Sequence, residues 1–207
     1  MENCRVLCDA TDLPVSADLE NGYAHDPRVA ARMITDAAAV GIVGGSIEDS
    51  TGDKAKPIYD FNLAVERVQA AVEAARALPF PFTFTARAEN LLHGSPDLDD
   101  IIRRLQAFEK AGADVLYAPG LNSLDDVRTV VKSVSKPVNV LMGWVAKGST
   151  VQDLEALGVR RISIGGALSR VAMGEFMKAA RDLKDNGSFA WMADAMPTKQ
   201  LKDIFRG

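Results

Sequence analysis

Acidic side chains and one arginine follow three consecutive β-rich segments of the sequence. Asp18 and Glu20 follow the first segment, Glu48 the second and Arg87 the third. Residues two apart on an extended chain point to the same side, so Asp18 and Glu20 can face one site. Three neighbouring carboxylates repel one another unless a cation neutralises them, and oxygen ligands suit Mg²⁺ or Mn²⁺. The sequence predicts a metal held by Asp18, Glu20 and Glu48, with Arg87 clamping a substrate carboxylate through paired donors.

The elements that must position these residues alternate regularly along the chain. Short β-rich runs followed by amphipathic helical patterns are typical of βαβ units around a parallel sheet. Six strands are predicted, at Val15–Leu19, Gly41–Ile47, Phe82–Thr85, Val115–Ala118, Val138–Met142 and Arg161–Ile164. The predicted helices cover Glu2–Cys8, Pro27–Val40, Asp60–Leu78, Asp97–Ala111, Leu124–Val134, Thr150–Leu157, Leu168–Asn186 and Thr198–Phe205. In parallel barrels the active site lies at the carboxyl ends of the strands, where the acidic residues and Arg87 stand.

The segment after the first strand distinguishes a barrel from an open sheet. An open doubly wound sheet usually carries a glycine-rich phosphate loop there. Here the segment reads Asp18-Leu19-Glu20-Asn21-Gly22-Tyr23, which cannot cradle a phosphate in that way. We therefore predict an α/β fold of the (β/α)8 TIM-barrel type, incomplete with about six βα units, over residues 1–186. Residues 187–207 are predicted to form a C-terminal helical tail.

Length and composition exclude several classes of protein. The chain has 207 residues, of which 47% are hydrophobic and 25% charged, as in a globular domain. A net charge of -4 without a Lys/Arg-rich stripe argues against nucleic-acid binding. The sequence lacks a run of about 18 apolar residues and a signal-peptide pattern, so we expect no membrane partner and a cytoplasmic location. Cys4 and Cys8 are predicted to be reduced core thiols.

Longer motifs around these residues resemble those of the isocitrate lyase and phosphoenolpyruvate mutase superfamily, which includes 2-methylisocitrate lyase-related enzymes. The resemblance covers nearly the whole chain. Its most specific parts are Pro14-Val15-Ser16-Ala17-Asp18-Leu19-Glu20-Asn21-Gly22-Tyr23, Gly44-Gly45-Ser46-Ile47-Glu48-Asp49 and Thr85-Ala86-Arg87-Ala88-Glu89. Ala111-Gly112-Ala113-Asp114 and Arg161-Ile162-Ser163-Ile164-Gly165-Gly166-Ala167-Leu168 add support from the later half.

The resemblance implies a Mg²⁺-dependent lyase or a phosphonomutase-type isomerase. Such an enzyme cleaves or rearranges a C–C or P–C bond next to a 2-oxo acid, through a pyruvate enolate. By resemblance, Asp18 contacts the metal directly, Glu20 and Glu48 hold it through water, and Arg87 binds the carboxylate of a small 2-oxo acid or phosphonate. A homotetramer is also implied, in which the last helices swap between subunits.

The remaining site residues follow from the same comparison. Lys54 or Lys56 is expected to reach the site from a mobile lid, as gating loops do. The catalytic residues predicted are Arg87, Glu48 and Lys54, and the substrate-binding residues are Arg87, Glu89 and Asn90.

Three departures from the superfamily pattern bear on function. The lyases carry a Lys-Lys-Cys-Gly stretch after the second of these strands, and its cysteine is the catalytic acid or base. Here Ser50–Pro57 contains no cysteine, which argues against cleavage of isocitrate or methylisocitrate by that mechanism. Glu20 replaces the usual aspartate. The first two strands of the superfamily barrel, which supply substrate contacts and one further metal-site aspartate, are missing from this sequence.

Other interpretations remain open at this point. The chain could be a catalytically inactive, truncated remnant that keeps the acidic strand ends. A phosphate-binding barrel of biosynthetic type would require a glycine-rich loop after the penultimate strand, and Met142-Gly143-Trp144 offers little of that. His25 and His93 are candidates for proton transfer but are equally expected as plain loop residues. Gly165-Gly166 could bind an anion or form a tight turn.

Overall fold

The computed structural model describes residues 1–143 and 148–206. The chain divides into two compact units, Met1–Ser163 and Ile164–Gly207. The first unit contains one parallel sheet in the order β1-β2-β3-β4-β5-β6, curled into a half-barrel. Its strands are β1 Ser16–Asp18, β2 Gly44–Glu48, β3 Thr83–Arg87, β4 Val115–Tyr117, β5 Val138–Leu141 and β6 Arg161–Ser163. The predicted α/β fold of an incomplete TIM-barrel type is therefore confirmed.

Eight α-helices are found in the described residues, together with two short 3₁₀ helices. The first unit has α1 Glu2–Asp9, α2 Pro27–Ala38, α3 Phe61–Arg76, α4 Leu98–Lys110, α5 Leu124–Ser133 and α6 Val151–Ala156, and the second unit has α7 Ala167–Asn186 and α8 Thr198–Phe205. The 3₁₀ helices cover Asn90–His93 and Ala190–Asp194. All the predicted strands and helices are present within three residues of their predicted bounds. The 3₁₀ helices were not predicted.

Side-chain caps fix the starts of several helices. Asp97 accepts hydrogen bonds from two main-chain N–H groups in the first turn of α4, and Ser123 accepts one from Asp126 at the start of α5. Thr150 and Asp153 form a capping box at the start of α6. Each of these contacts satisfies an N–H group that the helix itself leaves unpaired.

The core of the first unit lies between the sheet and the helices. Helix α4 buries Ile101, Leu105 and Phe108, at the three- and four-residue spacing of one helix face. Burying each such side chain contributes about 1.5–3 kcal/mol to stability. Each of two helices also buries an arginine among its apolar residues. Arg67 lies on the buried face of α3, and Arg104 lies on that of α4. A charge at such a position needs a dedicated set of partners.

The parallel register aligns the residues that the sequence singled out. Glu48 at the end of β2 is paired with Arg87 at the end of β3, which is paired in turn with Tyr117 at the end of β4. Asp18 ends β1 opposite Ser46 of β2. The strand ends therefore bring the predicted acids and Arg87 to one edge of the sheet, at the carboxyl ends of the strands.

The second unit differs from the first in its lack of burial. None of the residues of α7, the 3₁₀ helix Ala190–Asp194 or α8 is buried. Large apolar side chains are exposed along it, among them Leu168, Val171, Phe176, Phe189, Met192 and Phe205. The predicted division at residue 186 stays a prediction. Among the described residues, no helix is long and apolar enough to cross a membrane. Trp144, part of the segment considered for phosphate binding, lies outside the described residues.

Candidate active site

Arg87 is the centre of a group of carboxylates at the carboxyl end of the sheet. Its Nε donates to Glu89 Oε1 at 2.8 Å, and its Nη1 donates to Asp18 Oδ2 at 2.5 Å. Its Nη2 lies 3.1 Å from Glu48 Oε2. The guanidinium carbon also lies 5.2 Å from the centre of the Tyr117 ring, a cation–π distance. One guanidinium is thus shared by three carboxylates from three loci of the chain.

Burial and the neighbouring charges shift the pKa values of this group. The Arg87 and Glu48 side chains are each only 10% exposed, whereas the Asp18 side chain is 57% exposed. Burial, followed by the charge of Glu89, raises the pKa of Glu48 to about 7, although Arg87 opposes the shift. Burial likewise raises the pKa of Glu89 against the attraction of Arg87. Burial alone would lower the pKa of Arg87, but the three surrounding carboxylates raise it. The site therefore carries more negative charge than its arginine neutralises.

The loop after β1 is held in a strained shape. Glu20 and Tyr23 have left-handed backbone conformations, with φ angles of 50° and 53°, which non-glycine residues rarely adopt. The main-chain N–H of Glu20 donates to Asp18 Oδ1 at 3.0 Å, and the Glu20 carbonyl accepts from the Glu48 N–H at 2.9 Å. The backbone of Glu20 therefore links the two other acids, while its own side chain is exposed.

Arg67 fastens this loop from the core. Its side chain donates to the main-chain carbonyls of Asn21, of Ala24 at 2.7 Å and of His25 at 2.6 Å. Its guanidinium carbon lies 4.3 Å from the centre of the Tyr59 ring. These contacts explain how an arginine only 2% exposed is tolerated on a buried helix face. They also fix the path of the chain immediately after Asp18 and Glu20.

Tyr59 joins the loop after β1 to the loop after β2. Its hydroxyl lies 2.7 Å from His25 Nδ1, and its main-chain N–H donates to the Asp49 carbonyl at 2.9 Å. The second loop closes on itself, because Ser50 and Ile58 form an antiparallel bridge and the Thr51 N–H donates to the Pro57 carbonyl at 2.8 Å. The two loops that carry the acidic residues are thus one connected structure.

A second buried network lies behind the first. Asp49 Oδ1 accepts from the Glu89 N–H at 2.8 Å, and Asp49 Oδ2 lies 3.1 Å from Arg104 Nη1. Arg104 Nε donates to Asp100 Oδ2 at 2.8 Å, and Asn90 Nδ2 donates to the same oxygen at 2.9 Å. Burial favours the neutral form of Asp100, but hydrogen bonds from Arg104, Arg103 and Asn90 outweigh it and lower its pKa to about 2.

Comparison with known proteins places the chain among enzymes of one family. The family model described as phosphoenolpyruvate phosphomutase matches residues 1–184. The chain belongs to the phosphoenolpyruvate phosphomutase family. The resemblance noted in the sequence is confirmed, and the proteins similar to this chain are described as lyases, hydrolases and mutases.

Three known proteins show the range of similarity to this chain. A Burkholderia cenocepacia J2315 crystal structure, provisionally described as a lyase/mutase, is 50% identical, covers 100% of this chain and 74% of its own, and has a TM-score of 0.96. The provisionally named 2-methylisocitrate lyase 2 of Corynebacterium glutamicum is 29% identical over 98% of this chain and 67% of its own length. A phosphonopyruvate hydrolase crystallised with oxalate and Mg²⁺ is 22% identical, covers 98% of this chain and 72% of its own, has a TM-score of 0.82 and shows a shared fold. The chain thus spans about two thirds of the length of the lyase.

The predicted metal ligands lie at or just after the carboxyl ends of β1 and β2, but they do not form a complete cation site. In residues 1–143 and 148–206, no group of three or more His, Cys, Asp or Glu is arranged to hold a metal ion. Asp18 and Glu48 contact Arg87 instead. The donors are nonetheless all carboxylate oxygens, and their uncompensated charge would be relieved by a hard cation. The donor chemistry fits Mg²⁺, and the ligand set Asp18, Glu20 and Glu48 stays a prediction.

The other predicted residues fall into two groups. Glu89 contacts Arg87, and Asn90 uses its amide N–H to hold Asp100 while its Oδ1 has no partner among the described residues. Lys54 is exposed in the turn of the closed loop, and His93 ends the 3₁₀ helix after β3. The catalytic role of Lys54 and the substrate-binding roles of Glu89 and Asn90 stay predictions.

Sequence reasoning missed the supporting residues Arg67, Asp100, Arg104, Tyr59 and Tyr117. A usable signal existed for the two arginines. Each occupies a position that the helical spacing of apolar residues assigns to the core, next to Val68 in α3 and to Leu105 in α4. A charge at a core position predicts a buried ion pair or a set of carbonyl acceptors. No comparable pattern pointed to Tyr59, whose contacts depend on the path of two loops.

Proposed function

We propose that this chain carries the active site of a Mg²⁺-dependent enzyme that cleaves or rearranges a C–C or P–C bond next to a 2-oxo acid. The observation that supports it most directly is the sharing of Arg87 by Asp18, Glu48 and Glu89 at the carboxyl ends of three strands. A surplus of buried negative charge around one arginine is costly to stability, and such costs are typical of functional sites.

Arg87 is proposed to bind the substrate carboxylate. Glu89 holds its Nε, and the Tyr117 ring lies against its guanidinium carbon, so its orientation is fixed before substrate arrives. Asp18 is the most exposed of its three partners. A substrate carboxylate would therefore compete with Asp18 for Nη1 and form the paired contact for which arginine is suited. Asp18 would then be released for the cation.

Asp18, Glu20 and Glu48 are the residues proposed to hold Mg²⁺. When bound, the cation would polarise the 2-oxo group and stabilise the negative charge of an enolate. The chain itself supplies the strained loop that fixes the Glu20 backbone between Asp18 and Glu48. Arg67 holds that loop through three carbonyl groups, so the donors would be ordered before a cation arrives.

Two further residues are proposed to move protons. Glu48 is the first candidate, because its carboxylate lies beside the guanidinium proposed to bind the substrate, with Oε2 3.1 Å from Arg87 Nη2. Lys54 is the second candidate, since the loop that carries it has no cysteine. Removing a general acid or base costs about 10²–10⁴-fold in rate. A Lys54→Ala variant that keeps its full kcat would remove Lys54 from the mechanism.

The proposal is tested by supplying the full chain with Mg²⁺ and either oxaloacetate or phosphonopyruvate. Decarboxylation of oxaloacetate or hydrolysis of phosphonopyruvate would give pyruvate, whereas hydrolysis of oxaloacetate would give oxalate and acetate. ³¹P NMR separates release of inorganic phosphate from formation of phosphoenolpyruvate by a mutase. Addition of EDTA should stop the reaction. Oxaloacetate decays slowly with Mg²⁺ alone, so the rate without protein is subtracted. Absence of turnover of either compound would favour the alternative of a catalytically inactive remnant.

We also propose that Ile164–Gly207 is covered by other copies of the chain in a homotetramer. The exposure of Phe176, Phe189 and Phe205 supports this, because a soluble chain rarely leaves so many large apolar side chains in water. Sedimentation velocity should give the mass of four chains. Replacing Phe176 and Phe189 by Ser should lower that mass, and a monomeric wild-type protein would contradict the proposal.

A further inference from the structure

An aspartate forms hydrogen bonds with the main chain at each end of strand β3. At its carboxyl end, the Asp49 N–H donates to the Arg87 carbonyl at 3.2 Å, and Asp49 Oδ1 accepts from the Glu89 N–H at 2.8 Å. These two bonds lie on either side of Ala88 and hold the main chain immediately after Arg87. Asp49 therefore determines where the main chain places the guanidinium of Arg87 and the Glu89 carboxylate that holds it.

Arg104 of helix α4 holds Asp49 in this position. Its Nη1 lies 3.1 Å from Asp49 Oδ2 and donates to the Tyr59 carbonyl at 3.0 Å, and its Nε donates to Asp100 at 2.8 Å. The Asp49 and Arg104 side chains are only 2% and 8% exposed. Neither can therefore reach a ligand in solvent, and both are fully occupied by groups of the site.

We infer that Asp49 and Arg104 form a positioning pair that sets the orientation of Arg87 for a substrate carboxylate. The inference rests on the proposed function, in which Arg87 binds that carboxylate. The pair acts through Glu89 and touches no substrate atom. A buried ion pair of this kind contributes little net stability compared with apolar packing, so a role in fixing one geometry accounts for it better.

The chain offers a matched control at the opposite end of β3. There the Asp114 N–H donates to the Phe84 carbonyl at 2.9 Å, and Asp114 Oδ2 accepts from the Phe84 N–H at 2.9 Å. Asp114 is paired with Arg76 at 2.5 Å. As at Asp49, the main-chain N–H donates to a carbonyl of β3 and the carboxylate accepts a main-chain N–H, but here both bonds go to Phe84, away from Arg87. Asp114→Asn therefore makes the same chemical change at the other end of the strand, away from Arg87. Because the Asp114 side chain is 30% exposed and that of Asp49 only 2%, urea unfolding of both variants is measured alongside to separate loss of stability from the proposed effect on the site.

Two measurements on the full chain separate positioning from support of the fold. The first is hydrogen exchange of the Arg87 Nε–H, which donates to Glu89, followed by NMR and assigned with Arg87→Lys. The second is the affinity for oxalate in the presence of Mg²⁺, measured by calorimetry. Oxalate is a small dicarboxylate with the planar shape of an enolate of a 2-oxo acid, so it probes the paired contact to Arg87.

For Asp49→Asn we expect faster exchange at Arg87 and an oxalate Kd at least about tenfold higher, since a misplacement of about 1 Å costs up to about 100-fold at such sites. For Asp114→Asn we expect both quantities within about twofold of the wild type, because distant sites act independently. Equal effects of the two substitutions would overturn the inference. If the wild-type chain binds no oxalate but Asp49→Asn alone speeds exchange, the positioning role stands and the proposed function fails.

Arg104→Lys keeps the measurement possible if Asp49→Asn does not fold. Lysine preserves the charge in the core, but a single ammonium group cannot hold Asp49, Asp100 and the Tyr59 carbonyl in one fork-shaped contact. We expect an effect in the same direction as Asp49→Asn and smaller. Wild-type exchange and oxalate affinity in Arg104→Lys would exclude Arg104 from the pair.

Discussion

The two ends of strand β3 use the same hydrogen-bond pattern but differ in charge balance. At the amino end one aspartate, Asp114, meets one arginine, Arg76, and both side chains are partly exposed. At the carboxyl end five carboxylates meet three arginines in a largely buried setting: Asp18, Glu48 and Glu89 around Arg87, and Asp49 and Asp100 around Arg104, with Arg103 also paired with Asp100. Holding a strand in place requires only the first arrangement. The surplus charge at the second end needs another reason, and binding of a cation and an anionic substrate supplies one.

Removing Asp18 is expected to have the largest effect of any single change at the carboxyl end. Asp18→Ala deletes the proposed direct metal ligand and one partner of Arg87, so turnover should fall at least about 10³-fold. Because the side chain is 57% exposed, the fold should remain largely intact. Mg²⁺-dependent turnover of a 2-oxo acid measures the first effect, and urea unfolding measures the second. Asp12→Ala, at another exposed aspartate just before β1, is the control. Full activity in Asp18→Ala would contradict the proposed site.

Exchanging the shared guanidinium for an ammonium should have the next largest effect. Arg87→Lys keeps a positive charge among the three carboxylates but loses the planar fork that a substrate carboxylate requires. We expect kcat/KM to fall about 100-fold, mainly through KM, since loss of a charged hydrogen bond costs about 1.5–3 kcal/mol. Steady-state kinetics with the substrate found for the wild type measure it, with the exposed Arg160→Lys as the control. An unchanged KM would remove Arg87 from substrate binding.

The sequence was sufficient to predict which residues lie at the carboxyl edge of the sheet, but not which of their charges pair with one another. Asp18, Glu48 and Arg87 could be placed together because parallel strands end at one edge and the motifs fix which residue ends each strand. The sequence predicted Asp18, Glu20 and Glu48 around a cation. In the structure Asp18 and Glu48 contact Arg87, its third partner is Glu89, and the Glu20 side chain is exposed. The pairing of Arg87 depends on side-chain directions that spacing alone does not determine. Arg104 was missed for a related reason, since its partner Asp49 lies 55 residues earlier in the chain.

The charge surplus should also appear as a pH dependence of stability. The pKa of Glu48 is raised from 4.5 to about 7, so between these values the folded protein holds a proton that the unfolded chain has released. Stability therefore falls as the pH rises through this range. Glu48→Gln cannot ionise, and at pH 8 it should be more stable than the wild type by roughly 2 kcal/mol. At pH 4 the two should be alike, because the wild-type carboxyl is then neutral in both states.

Urea unfolding at the two pH values measures this difference, with Glu73→Gln on the exposed face of α3 as the control. Mg²⁺ should sharpen the result. A cation near Glu48 favours the ionised carboxylate, so Mg²⁺ should stabilise the wild type at pH 8 and have little effect on Glu48→Gln. If the difference in stability between Glu48→Gln and the wild type does not change with pH, Arg87 already neutralises the Glu48 carboxylate. The carboxyl end of β3 would then carry no surplus charge that distinguishes it from the amino end.

The smallest effect is expected at the amino end of β3. Arg76→Ala removes the arginine that pairs with Asp114, but the Arg76 side chain is 48% exposed, and partly exposed ion pairs contribute about 0.2–1 kcal/mol. Asp114 keeps its two main-chain contacts with Phe84, so the strand end should stay in place. Unfolding in urea should show this small loss, and turnover should match the wild type. A large loss of activity in Arg76→Ala would mean that both ends of β3 control the site, and that surplus charge is not what distinguishes the functional end.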